Sequence, residues 1–198
     1  MPDRSVPRIC LGLLALAALP LQAAVPATSA APAFCASPSG AAERAICADA
    51  ALRTADREVA RTYAAALDKA SRRERHLLRK EQQGWWAGVN DCAKTDDVHA
   101  CVTTAYDTRK VELQATSHLV AARGPFVFSC DDGSRLHVTY HATEPASMVA
   151  LRGDERPLLL VQRSASGARY AGRAAAFWEH QGSAAVTWGT TELQCKAP

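Results

Sequence analysis

The stretch RGPFVFSC, Arg123 to Cys130, marks the point where the sequence changes its hydrophobic period. Before it, apolar residues recur every three to four positions, as on one face of a helix. After it, apolar residues alternate with polar ones, as in strands that bury one face. The glycine and proline at the junction interrupt both patterns. The sequence therefore predicts an α+β protein made of two domains of different class.

The segment before the junction carries three apolar stripes with helical spacing. Two of them begin behind helix caps, Asp49 for the first and a capping box of Ser71 and Glu74 for the second. The stripes run from Leu52 to Leu67, from Leu78 to Cys92 and from Val102 to Leu113. We predict a helical domain at residues 34–119, preceded by a linker at residues 25–33 that is rich in Pro, Ala, Thr and Ser.

Residues 125–198 are predicted to form a small antiparallel barrel or sandwich. Short apolar runs separated by Gly, Pro or Asp indicate many short strands joined by tight turns, such as the turn at residues 131–133. Cys130 ends the first predicted strand and Cys195 ends the last. A disulfide between them would close the sheet on itself and cover both edges.

Residues 1–24 have the pattern of a signal peptide. Two arginines precede an apolar run from Ile9 to Leu21, and small residues follow it. Pro20 ends the run before it reaches the roughly 20 residues that a membrane helix needs. We expect export to the periplasm, or secretion, with no stable membrane insertion once the signal is removed.

The cysteine count favours disulfides over a metal site. The chain has seven cysteines, and removal of Cys10 with the signal peptide leaves an even number, as is typical of disulfides in exported proteins. No CxxC pair is present, and His137 and His141 would be too far apart in a strand to share an ion. We expect neither a metal nor another cofactor.

Disulfide pairing in the helical domain is less constrained, because its four cysteines permit three connectivities. An antiparallel helical hairpin would place the start of the Leu52 helix beside the end of the Trp85 helix. This geometry favours Cys47 with Cys92, which leaves Cys35 for Cys101.

The overall charge of the chain gives no sign of a polyanionic partner. The formal net charge is only +3, so nothing demands nucleic acid or an anionic membrane. The basic run at residues 71–75 is interpreted as the solvated start of a helix. In residues 125–198 acids and bases balance at seven each.

The C-terminal half resembles the inhibitors of c-type lysozyme, MliC in its membrane-bound form and PliC in its periplasmic form. The resemblance implies an eight-stranded antiparallel barrel that plugs the cleft of lysozyme. It rests on the Ser129-Cys130-Asp131 start, the SASGARY segment at residues 164–170, Phe177-Trp178, the Ala-Ala-Val run at residues 184–186 and the final Cys195.

The helical half resembles the LprI domain, which is found in many exported proteins. Asp56, Gln82 and Arg109 lie on or beside its apolar stripes, where they either form a binding site or join the helices in a polar network. The matching residues are Cys35, Glu43, Ile46, Cys47, Leu52, Asp56, Tyr63, Gln82, Trp85, Cys92, Cys101, Tyr106, Arg109 and Leu113.

The resemblance to the inhibitors also implies a site. In that family the serine of SGxxY and a lysine fourteen positions later enter the lysozyme cleft, and here those positions are Ser166 and His180. A hairpin turn centred near Gly172-Arg173 would place these two residues directly across from each other. The candidate lysozyme-binding residues are Ser166, Gly167, Arg169, Tyr170, Arg173 and His180.

Histidine in place of the family's lysine is the main departure. A histidine side chain ordinarily titrates near pH 6.5, so it carries little charge at neutral pH. Arg169 and Arg173 are alternative cations. We predict inhibition that is weaker than in lysine-bearing relatives and stronger below about pH 6.5.

The leading hypothesis is a periplasmic inhibitor whose partner is c-type lysozyme. The alternative is an envelope adaptor that has lost inhibition and docks another protein through its helical domain. An enzyme is disfavoured, because Ser166 and His180 are the only serine and histidine predicted to pair and have no evident third partner.

Overall fold

The computed structural model describes residues 31–197 of the 198-residue chain. The predicted signal peptide, residues 1–24, and most of the predicted linker, residues 25–33, lie outside the described residues. Within the described part, four α-helices are followed by eight β-strands, which confirms the predicted α+β class.

The helices form where capping residues stand directly before an apolar stripe with helical spacing. Asp49 accepts hydrogen bonds from the backbone of α2, and Ser71 and Glu74 form the predicted capping box of α3. One face of each helix meets the others in a core that includes Ile46, Val59 and Tyr106. The helices are α1 (Ala41–Ala48), α2 (Ala50–Lys69), α3 (Arg72–Asp91) and α4 (Val98–Thr116).

The strands close into a barrel in which each strand pairs antiparallel with the next and β8 returns to β1. Alternate side chains point inward, so that Leu136, Val138 and Phe177 are almost fully buried. The strands are β1 (Ala122–Cys130), β2 (Arg135–His141), β3 (Ser147–Leu151), β4 (Leu158–Gln162), β5 (Ala168–Ala171), β6 (Ala175–His180), β7 (Ser183–Trp188) and β8 (Thr191–Lys196).

The disulfide between Cys130 and Cys195 is confirmed. It joins two residues that pair directly across the β1–β8 closure of the barrel. The first and last strands of the sheet are therefore linked covalently as well as by hydrogen bonds.

The predicted pairing in the helical domain is wrong. Cys35 is bonded to Cys47, and Cys92 is bonded to Cys101. The prediction considered only which helix ends are neighbours. It overlooked that a short turn brings the first turn of α4 back onto the end of α3, so that Cys92 meets Cys101 with a Cα–Cα distance of 5.6 Å.

The helical part contacts the barrel through α4 and β3. Val111 and Ala115 are buried although they do not belong to the helical core, and Val149 is buried although it does not belong to the barrel core. These residues lie on the facing sides of the two elements. Helix α4 is therefore buried on two faces, one toward the other helices and one toward the barrel.

Candidate functional site

The candidate site lies at one end of the barrel, where the β4–β5 loop and the β6–β7 turn lie side by side. They share this end because Ala168, the first residue of β5, pairs with Glu179 near the end of β6. The loop, residues 163–167, is exposed throughout, and so is His180. We call residues 163–167 together with His180 the rim.

The register places Gly167, not Ser166, opposite His180. Arg169 pairs with Trp178 and Ala168 with Glu179, so the next position in the ladder brings residue 167 to residue 180. The prediction that Ser166 lies directly across from His180 is therefore wrong by one residue. Ser166 instead lies in the loop, next to the glycine that faces the histidine.

The error comes from the position of the hairpin turn. The amide of Gly172 donates to the carbonyl of Ala175, which leaves Arg173 and Ala174 as the turn residues. Gly172 therefore pairs with Ala175 at the end of the ladder and is not a turn residue. A Cβ at this position would lie 2.4 Å from the carbonyl oxygen of Leu158, so the glycine is needed for close packing.

Gly167 brings the loop against β6. Its φ of +68° is in the left-handed region, which favours glycine. A Cβ built on it would lie 2.1 Å from the carbonyl oxygen of Glu179 and 3.2 Å from the Cβ of His180. The close approach of the loop to His180 therefore depends on the absence of a side chain at residue 167.

Hydrogen bonds fix the loop through its backbone. The Ser166 carbonyl accepts a bond of 2.5 Å from the Ser164 hydroxyl and one of 3.0 Å from the Trp178 indole nitrogen. Neither bond uses the Ser166 hydroxyl. Ser166 thus presents an exposed hydroxyl on a loop whose backbone is held in place.

Of the two candidate arginines, the structure places only Arg169 near the rim. Arg169 is exposed on β5, two residues from Gly167. Arg173 lies in the turn at the opposite end of the hairpin, so the structure does not bring it to the rim. Arg163 is exposed at the start of the loop and was not among the predicted residues. It is an additional cation at the rim.

Tyr170 lies inside the barrel end and belongs to an aromatic cluster. Its ring centroid is 5.6 Å from that of Tyr140, which is 5.9 Å from that of Phe126. Phe126 and Val161 are 39% and 41% exposed. We call Phe126, Tyr140, Val161 and Tyr170 the mouth. Alternation alone assigns them to the barrel core, so sequence reasoning missed that they lie at its open end.

The mouth remains uncharged. Burial and, to a lesser degree, the neighbouring Tyr170 and Glu179, whose ionised forms are negative, raise the pKa of Tyr140 to about 12. Burial also raises the pKa of Tyr170. Both phenols therefore stay protonated at physiological pH and can donate hydrogen bonds next to an apolar surface.

The polar residues of the helical core form an inter-helix network. Tyr106 donates to Asp56 at 3.0 Å, and buried Arg109 donates to Gln82 at 3.1 Å and to Glu112 at 2.7 Å. These bonds join α2, α3 and α4. Of the two interpretations of Asp56, Gln82 and Arg109, the structure favours a structural network.

Two family models match separate parts of the chain. The family described as "Lysozyme inhibitor LprI" matches residues 35–113, and the family MliC, described as "Membrane-bound lysozyme-inhibitor of c-type lysozyme", matches residues 128–194. The predicted order, an LprI-like segment followed by an MliC-like segment, is confirmed. Both families are described as lysozyme inhibitors.

Curated relatives extend across the junction between the two segments. "Lipoprotein LprI" of Mycobacterium bovis and the proteins of the same name from two strains of Mycobacterium tuberculosis are each 27% identical to this chain over 156 residues. The match covers 78% of this chain and 78% of each relative. No solved structure matches the chain.

Residues 31–197 show neither a membrane-spanning helix nor a metal-binding group. In that range no helix has both the length and the hydropathy of a membrane-spanning segment. Likewise, no three His, Cys, Asp or Glu side chains of that range come together as a metal-binding group.

Proposed function

We propose that this protein is a periplasmic inhibitor of c-type lysozyme and that its rim enters the active-site cleft of the enzyme, thereby protecting bacterial peptidoglycan. The observation that carries the proposal is the close approach at Gly167, which holds an exposed serine loop against an exposed histidine. The match to a family of c-type lysozyme inhibitors supports the choice of enzyme.

The chemistry of the target suits these side chains. Lysozyme uses two carboxyl groups, one kept protonated as a general acid and one ionised. The Ser166 hydroxyl can donate a hydrogen bond to the ionised carboxylate or accept one from the acid. A protonated His180 or the nearby Arg163 would neutralise the ionised carboxylate, and the attraction is stronger where water is excluded.

The loop is also suited to binding because it is held in place before contact. Two donors to the Ser166 carbonyl restrict the backbone, so less conformational entropy is lost on association. The small side chains of residues 164–167 allow a narrow projection into a groove. The exposed apolar atoms of Phe126 and Val161 offer contact area beside it.

Long-range attraction contributes little to this interaction. Acids and bases balance at seven each in residues 125–198, so the barrel as a whole offers no strong field to a charged partner. Affinity then depends on shape and on the few polar contacts in the cleft, and association should depend only weakly on salt.

The test is inhibition of a c-type lysozyme by variants of the rim, measured as clearance of a bacterial cell suspension. Loss of one hydrogen bond to a charged group weakens binding about tenfold, so we expect S166A to lose about tenfold and S166A/H180A about a hundredfold. The matched control is S129A/H76A, which removes an exposed serine and an exposed histidine elsewhere.

The control variant should inhibit as the wild type does, and all variants should keep the wild-type unfolding midpoint. Wild-type inhibition by a folded S166A/H180A variant would contradict the proposal. It would favour the adaptor hypothesis, in which the helical domain is the binding part.

A further inference from the structure

The first turns of α3 form a strongly basic surface that the proposed function does not use. Residues 69–80 contain six Lys or Arg residues and His76, with Glu74 as their only acid. Except for Leu78, every residue from 71 to 80 is exposed. We call the exposed side chains of Arg72, Arg73, His76, Leu77, Arg79 and Lys80 the basic face.

Helical geometry gathers these residues on one side. Arg73, His76, Leu77 and Lys80 follow the i, i+3, i+4, i+7 spacing of a single helix face. Leu78, which points the other way, is buried in the helical core. The outward side of α3 thus presents several cations. Leu77, which is 48% exposed, lies at the edge of this side, in a cleft that Glu74 and Glu81 also line.

The cations of the basic face have no evident role in stabilising the fold. Arg75 donates to the last carbonyls of α2, at Leu67 and Asp68, and so has a structural role. The ion pairs formed among residues 31–197 include none of Arg72, Arg73, Arg79 and Lys80. Arg72 and Arg73 even lie in the first turn of α3, where the helix dipole disfavours positive charge.

We propose that the basic face is a peripheral contact for an anionic phospholipid surface. Several exposed cations on one helix face are attracted to anionic headgroups. Leu77 favours a lipid surface over a soluble polyanion, because an exposed apolar side chain at the edge of a group of cations can enter the boundary between headgroups and acyl chains. The long Arg and Lys stems can lie along the same boundary while their charges stay in water.

The cleft that Leu77 lines and the rim lie near opposite ends of strand β4. Leu77 shares a cleft with Arg156, which precedes β4, whereas the rim loop follows β4. The five residues of β4, at about 3.3 Å each, separate these ends by about 17 Å. The two proposed surfaces therefore use different residues of the molecule.

The test is co-sedimentation of the protein, purified without its predicted signal peptide, with phospholipid vesicles. We expect binding to vesicles that contain one quarter phosphatidylglycerol, almost none to pure phosphatidylcholine, and release at high salt. R73E/K80E should bind at least about tenfold more weakly, since each cation near the surface contributes severalfold. L77S should also bind more weakly at low salt.

The matched control is R44E/R135E, which makes the same change in net charge at two exposed arginines outside α3. It should bind vesicles as the wild type does. Each variant should still inhibit lysozyme, which keeps this proposal separate from the one about the rim. Wild-type vesicle binding by R73E/K80E would overturn the proposal. Wild-type binding by L77S, together with equal affinity for heparin, would assign the face to a soluble polyanion instead.

Discussion

Gly167 places the rim loop against strand β6 because a side chain there would overlap the Glu179 carbonyl. Gly153 provides a comparison, since its φ of +58° is similar but nothing lies within 4 Å of its Cβ position. Substituting each glycine by alanine therefore distinguishes the free-energy cost of a left-handed backbone, present at both positions, from that of a steric clash, present only at residue 167.

We predict that G153A loses about 1 kcal/mol of unfolding free energy, from backbone conformation alone. G167A should lose about 1 to 3 kcal/mol more, because the added methyl group must displace the loop or β6. G167A should also inhibit lysozyme at least tenfold more weakly. Urea unfolding and the clearance assay measure the two effects, and equal results for both variants would show that the close approach has no role.

His180 determines how inhibition should depend on pH. Histidine is the residue type that exchanges a proton in the physiological range, whereas the lysine of the family stays charged throughout it. We predict that wild-type inhibition strengthens by threefold or more between about pH 7.5 and about pH 5.5. H180K should inhibit more strongly at about pH 7.5 and vary little with pH.

The comparison requires correction for the pH dependence of the enzyme itself. A flat profile for the wild type would exclude His180 as the cation in the cleft and would favour Arg163, which is exposed in the same rim. H180K is the informative control because it restores the family's residue without changing the loop.

The disulfides differ in what they enclose. Cys130–Cys195 spans 65 residues and closes the barrel, whereas Cys92–Cys101 spans nine and closes a turn between helices. In the chain-entropy description, a longer loop restricts the unfolded chain more. Removal of Cys130–Cys195 by alanine substitution should therefore cost about 4 kcal/mol, against about 3 kcal/mol for Cys92–Cys101.

Urea unfolding of the two double-alanine variants measures the difference. A greater loss for the Cys92–Cys101 variant would mean that packing at the α3–α4 turn outweighs loop length. The wild type under reducing conditions should be less stable than either variant, since all three bridges are then open.

The sequence predicted the elements better than their pairing. Alternation of apolar and polar residues predicted the strands of the barrel, and apolar stripes predicted the helices, because each pattern depends on residues close in the chain. The Cys92–Cys101 bridge and the register of Gly167 were missed for a different reason. Both depend on where a single turn begins, and a shift of one residue moves every partner of a strand.

At the scale of the molecule, α4 connects the two parts by burying residues on two of its faces. Sequence reasoning found the face toward the helices but did not predict the face toward β3, because Val111 and Ala115 resemble ordinary residues of an exposed helix side. The helical part thus lies against the outer surface of the barrel and does not depend on the linker alone for its position.

The most direct measurement of the central claim is competition between this protein and a chitin oligosaccharide for one lysozyme molecule. If the rim occupies the cleft, the apparent Kd for the inhibitor should rise linearly with the concentration of free sugar, and no ternary complex should form. An unchanged Kd at saturating sugar, with a ternary complex detected by calorimetry or sedimentation, would contradict the account.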